Sequence, residues 1–145
     1  MEEKKICIAC DHAGYEIKEY IKEILAQQGY EVRDFGTHSN ERVDYPDYAQ
    51  ELCESINPQT KGILICGSGI GMSIAANRYT HIRAALCKDS QMAELSRAHN
   101  DANVLCLGAR ITPKDTLVGI LNAFLHTEFE GGRHIDRIKK LHTKD

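Results

Sequence analysis

Residues 63–73 read ILICGSGIGMS: an apolar run ending in a cysteine, three glycines at alternate positions, then the start of a stretch with helical spacing that continues to Tyr79. A short β-branched strand, a glycine turn and a helix make one β/α unit, and the rest of the chain repeats the pattern. Upstream, ICIAC reads as a strand. Residues Ala13 to Gln28 predict a helix with Ile17, Tyr20, Ile21, Ile24 and Leu25 on one face and Gly29 as its stop. YEVRDFG reads as a second strand, and Pro46 opens the helix PDYAQELCESI at a position where its missing N–H does no harm. Downstream, RAALC, SQMAELSRAHN, NVLCLG and PKDTLVGILNAFL continue the alternation. Five β/α units with near-continuously apolar strands predict a parallel sheet with helices on both faces. No repeat or linker divides the 145 residues, so residues 1–145 are expected to form one domain.

Composition narrows the function. The chain is 42% hydrophobic and 27% charged, an ordinary globular balance, and its 18 basic and 21 acidic residues give a net charge of −3. A nucleic-acid or membrane-surface protein would usually carry a basic excess, so neither partner is expected. The N-terminal apolar run is only five residues long, far short of a signal core or a membrane span, which predicts a cytoplasmic protein. Of the six cysteines, five lie inside apolar stretches rather than framing loops, and they are read as reduced. Cys7 and Cys10 form a C-x-x-C. On a strand, residues three apart face opposite sides and cannot share a metal.

In open α/β sheets, ligands bind beyond the carboxyl ends of the strands, near the point where strand order reverses. Those ends carry Asp11-His12, Cys66 with its glycine loop, Cys87-Lys88-Asp89, and Gly108-Ala109-Arg110; the polar pair His99-Asn100 is expected at the same edge. Gly67, Gly69 and Gly71 allow a turn whose N–H groups point inward at a helix start, an arrangement that binds an anion or simply makes a tight turn. The P-loop lysine is absent. The dinucleotide fingerprint G-x-G-x-x-G is matched only in part, with Asp89 in the place of a ribose-binding acid. Cys66 stands at the loop's mouth, the helix-start setting in which thiols act as bases or nucleophiles, although a buried structural cysteine reads the same way. Arg133, His134 and Arg137, after the hinge Gly131-Gly132, make a cationic face or a solvated helix surface.

Taken together, ACDHAG, ERVDYPDYA, ILICGSGIGMSIAANR, RAHNDANVLCLGAR and EGGRHIDRI closely resemble the ribose-5-phosphate isomerase B family, in order and with matching intervals over nearly the whole chain. The resemblance implies a Rossmann-like three-layer α/β/α sandwich with a five-stranded parallel sheet. It also implies an aldose–ketose isomerase of the non-oxidative pentose phosphate pathway that needs no metal or nucleotide and interconverts ribose 5-phosphate and ribulose 5-phosphate. By position, Cys66 resembles the base that moves a proton between C1 and C2, and His99 the proton donor for ring opening. Asp11, His12 and Asn100 resemble sugar contacts. Gly67, Ser68, Gly69, Ile70 and Gly71 resemble the loop that holds the enediolate. Arg110, Arg133 and Arg137, with His134 beside them, resemble the phosphate site. The resemblance further implies a homodimer with shared active sites, or a tetramer, in which a C-terminal helix over about 133–142 reaches the partner subunit. Two alternatives stay open: an isomerase of a six-carbon sugar phosphate (allose or galactose 6-phosphate), and a small nucleotide-binding module.

Overall fold

The computed structural model describes residues 4–142, so the extreme ends of the expected 1–145 domain lie outside the described residues. The apolar runs become strands β1 Lys5–Cys10, β2 Glu31–Asp34, β3 Lys61–Cys66, β4 Ala84–Leu86 and β5 Val104–Gly108. The helices are α1 Tyr15–Gln27, α2 Tyr45–Ser55, α3 Ile70–Ala76, α4 Ser90–Ala98, α5 Leu117–His126 and α6 His134–Lys139. All strand pairs are parallel, in the order β2-β1-β3-β5-β4. Strand order reverses between β1 and β3, the place where this architecture leaves a crevice.

The period-two alternation of each strand divides the core. Ile6, Ile8, Cys10, Ile63, Ile65, Leu105 and Leu107 face α1, α4 and α5, where Ile21, Leu25, Leu121 and Phe124 are fully buried. Cys7, Ala9, Leu64, Cys66 and Cys106 face α2 and α3, against Leu52, Cys53, Met72 and Ala76. Cys7 and Cys10 thus lie on opposite faces of the sheet, as the strand reading requires.

Two boundaries differ from expectation. The first helix begins at Tyr15 rather than Ala13, because the Asp11 carboxylate accepts bonds from the N–H groups of Ala13 (3.0 Å) and Gly14 (3.2 Å) and draws residues 12–14 into a single 3-10 turn. The C-terminal helix is six residues, His134–Lys139, not the ten of 133–142.

One buried ion pair braces the crevice. Lys18 on α1 is fully buried, and its Nζ donates to both carboxylate oxygens of Asp34 (2.8 and 2.9 Å) and to Thr37 O (2.6 Å). Thr37 N–H in turn donates to Cys10 O at 2.8 Å, immediately before Asp11. Burial opposes ionisation of Asp34, but bonds from Lys18, Lys22 and the Gly36 N–H outweigh it and hold the carboxyl below its ordinary value. A depressed carboxyl contributes stability that is present above its unfolded pKa and lost as pH falls through the folded one. Asp34→Asn is therefore expected to lower unfolding free energy by about 3 kcal/mol at pH 7, by stranding Lys18. The penalty should shrink in acid, as pH falls through the depressed pKa of the native carboxylate. Urea unfolding at pH 7 and in acid measures the difference; equal losses at both would refute the linkage.

Candidate active site

The carboxyl ends of β1, β3 and β5 gather one group of the sequence-predicted residues. Asp11, 7% exposed, is tied to β3 by its N–H on Ile65 O at 3.1 Å. His12 accepts the Val43 N–H on Nδ1 at 3.2 Å, so in that bond its Nε2 carries the proton and is the donor. Cys66 ends β3 and is 5% exposed; its Sγ accepts the Gly69 N–H at 3.2 Å. That turn needs glycine at 69: φ is +79°, and a Cβ there would lie 2.9 Å from the carbonyl carbon of Leu107. Ser68 Oγ accepts the Ile70 N–H at 3.2 Å, and Ser73 is the first to bond back into the helix, on Gly69 O. The other N–H groups of the first turn, Gly71 among them, lack intrahelical acceptors.

Arg110 follows β5. Its N–H donates to Gly67 O at 2.9 Å, and its Nη1 lies 3.0 Å from where a Cβ on Gly67 would begin, so the guanidinium lies over the loop. Tyr45, at the start of α2, closes the other side: its ring passes within 2.6 Å of a Cβ placed on Gly71. The sequence reading missed Tyr45, whose only signal is its place just before Pro46. Asp89 caps α4, accepting the Met92 N–H at 2.8 Å, so it has a structural task.

His99 and Asn100 are not at this edge, and the expectation that they would be is corrected. Gly62 N–H donates to Asn103 O at 2.9 Å, and Gly62 is aligned with Val104 as Cys66 is with Gly108. The turn therefore lies where β3 and β5 begin. Four strand residues, about 13 Å, separate that level from Cys66. The reason is chain direction: a turn leading into a parallel strand must sit at its amino end. Asn100 there lines a cleft of about 760 Å³ with Ile82, Ile138 and Leu141.

The C-terminal segment joins His99 at the amino edge. Glu130 N–H donates to Ala98 O at 3.0 Å, Gly131 and Gly132 turn the chain, and the His134 ring stacks on His99 with centroids 4.4 Å apart and planes at 15°. His134 is 5% exposed, so the segment does not hang free after its hinge; its first turn is anchored to its own chain. Burial, then the charge of Arg133, then His99 and Arg137, hold the His134 pKa below its ordinary value, with Glu130 opposing. Arg133 and Arg137 are exposed and make no ion pair among the described residues.

His99, Glu130 and His134 bring three potential metal-ligand atoms within 4.8 Å of one another. Their geometry fits an ion poorly: the rings are stacked nearly parallel, so an ion between them would sit out of both planes, away from the in-plane nitrogen lone pairs. Among the described residues no helix is long and apolar enough to cross a membrane.

Fold and crevice together define an open, doubly wound α/β protein with a thiol and an arginine over a glycine loop at its switch point. The chain belongs to the Ribose/Galactose Isomerase family, which residues 6–141 match. It is 44% identical over 140 residues to the ribose-5-phosphate isomerase B of Escherichia coli K12, covering 95% of this chain and 94% of that one. Among solved structures, that of the Clostridium thermocellum ribose-5-phosphate isomerase B superposes with a TM-score of 0.92 at 50% identity over 94% of both chains. The Mycoplasma genitalium ribose-5-phosphate isomerase B, with bound ribulose-5-phosphate, gives 0.91 at 39% identity, over 94% of this chain and 93% of that one.

Proposed function

We infer that this chain is an aldose–ketose isomerase interconverting ribose 5-phosphate and ribulose 5-phosphate, working as a dimer whose sites are each shared by two subunits. The observation that carries the reading is the Cys66 thiol at the switch point, with the Gly69 N–H on its sulfur and the Arg110 guanidinium over the same loop. Family membership and neighbours named as ribose-5-phosphate isomerases support the substrate. Six free, buried cysteines fit a reducing, cytoplasmic setting.

Enolisation needs a base beside a carbon acid and fixed dipoles where oxygen charge develops. Cys66, as thiolate, takes the C2 proton of the open-chain aldose, and the electron pair moves to give an enediolate across C1 and C2. The loop and first-turn N–H groups face the charged oxygen. Return of a proton to C1, with the O2 proton passing to O1, yields the ketose and regenerates the thiolate. A sugar phosphate is a dianion, and Arg110 is one cation in a chain of net charge −3. Arg133 and Arg137 belong to the opposite edge of their own sheet, so they serve this loop from a second subunit, and the His99–Asn100 turn, stacked on the same segment, comes with them. A two-fold dimer builds two such composite sites at once.

Turnover assays on ribose 5-phosphate, allose 6-phosphate and galactose 6-phosphate, each with a metal chelator, test class and substrate together. Ribose 5-phosphate is expected to turn over fastest. Preference for a six-carbon sugar would overturn the substrate, and tight nucleotide binding without turnover would overturn the class. His99→Asn is expected to slow ribose 5-phosphate, which enters as a ring, by about a hundredfold or more. It should spare an open-chain four-carbon aldose 4-phosphate, which lacks the free hydroxyl needed to close a furanose. Equal losses on both would remove His99 from ring opening.

A further inference from the structure

The motif EGGRH contains one acidic side chain with no part in the scheme above. Glu130 sits where the chain leaves α5 and turns into α6, and its backbone tie to Ala98 carries the carboxylate to the end of α4. Its Oε1 lies 3.7 Å from Nε2 of His99 and 3.7 Å from Nε2 of His134. The stacked rings thus present two nitrogens to one oxygen. His134 Nε2 is buried and has no hydrogen-bond partner, and Glu130 is the only carboxylate within ion-pair distance of either ring among the described residues.

We propose that Glu130 is a positioning residue for ring opening: its carboxylate oxygen, beside the Nε2 edge of both stacked histidines, orients the His99 ring for proton transfer to the ring oxygen. The proposal rests on the isomerase reading. Ring opening breaks the bond between C1 and the ring oxygen O4. The electron pair leaves with O4, which takes a proton from His99, while the C1 hydroxyl gives its proton to water as C1=O forms; His99 is then reprotonated from water, and no net proton is consumed.

The stacked pair lies among cationic side chains. Arg133 and Arg137 approach from α6 together with His134, and Arg97 belongs to the same turn of α4. Arg97 is engaged by the Asp101 carboxylate (2.9 Å) and by the carbonyls of Ala102 (2.7 Å) and Thr127 (3.3 Å), and Asp101 is shared with Arg83, so neither is free to serve the histidines. Among the described residues, Glu130 alone brings an opposing charge within ion-pair distance of the two rings. At 3.7 Å neither contact is a hydrogen bond, and a shift of roughly 0.8 Å toward His99 completes one. His134, whose pKa burial and the arginines hold below its ordinary value, contributes its ring face to the stack.

The test is Glu130→Gln in the full-length protein. On ribose 5-phosphate, kcat is expected to fall about ten- to a hundredfold with KM within about twofold. Turnover of the open-chain four-carbon aldose 4-phosphate should stay near wild type. An NMR titration without substrate adds a readout independent of activity: with the opposing carboxylate gone, His134 should titrate at lower pH than in the wild type. Equal losses on the two substrates, a loss carried by KM, or an unmoved His134 titration would each overturn the proposal. If the glutamine variant does not fold, Glu130→Asp, which withdraws the charge by one methylene, is expected to show the same substrate split in smaller measure. A wild-type protein inactive on every sugar phosphate would instead refute the isomerase reading, with the His134 titration still reporting on the placement of Glu130.

Discussion

Cys66→Ala is expected to lower kcat for ribose 5-phosphate by about three orders of magnitude, with KM and the unfolding midpoint little changed. A positioned acid or base contributes about 10²- to 10⁴-fold, and here one group serves both halves of the proton transfer. The thiol is small and at the rim of the α2–α3 core, so its loss should cost no more than the roughly 1 kcal/mol typical of a point change. Cys10→Ala and Cys106→Ala are the matched controls. Burial pushes the Cys10 thiol up to about 12 and the Cys106 thiol well above its ordinary value, so at neutral pH both stay protonated and neither can serve as the base. Their effect should appear in stability, by about 1 kcal/mol, and only secondarily in turnover. Stopped-assay kinetics and urea unfolding on the same preparations read both quantities. Retained turnover in Cys66→Ala would end the assignment of the base.

Mixing two inactive proteins is expected to restore activity. A Cys66→Ala chain keeps an intact amino edge with His99, Arg133 and Arg137. An Arg133→Ala, Arg137→Ala chain keeps an intact carboxyl edge with Cys66 and Arg110. These groups lie at opposite ends of strands aligned Gly62 with Val104 and Cys66 with Gly108, levels about 13 Å apart within one chain. In the proposed two-fold dimer each loop would meet the other subunit's arginines, so a mixed dimer would carry one intact site and one doubly damaged site. Random reassortment of equal amounts makes half the dimers mixed and so restores about a quarter of wild-type activity. A mixture that stays inactive, although mass spectrometry shows that subunits have exchanged, would place the arginines with their own loop and refute the shared site.

The sequence alone was enough for the sheet, because its signals are local. ICIAC and VLCLG are apolar at every position, as strands covered on both faces must be, while Gly29, Pro46 and the Gly67–Gly71 run mark a helix stop, a helix start and a strand-to-helix turn by backbone chemistry that needs no distant partner. The contact of the Cys66 thiol with a loop N–H was legible for the same reason, since residues 66 and 69 share one turn. What the sequence could not determine depended on contacts between residues far apart along the chain. Glu130 is an ordinary acid until its backbone pairs with Ala98 and its carboxylate comes beside His99 and His134, and Tyr45 is only a helix entry until its ring meets Gly71. The stacking of His99 on His134, 35 positions later, anchors the start of α6 in a segment that by sequence reads equally well as a solvated helix surface. Tertiary structure alone decided which edge of the sheet holds which residues in place, because an edge is a property of strand direction and neighbour order, and neither is written in a local run of side chains.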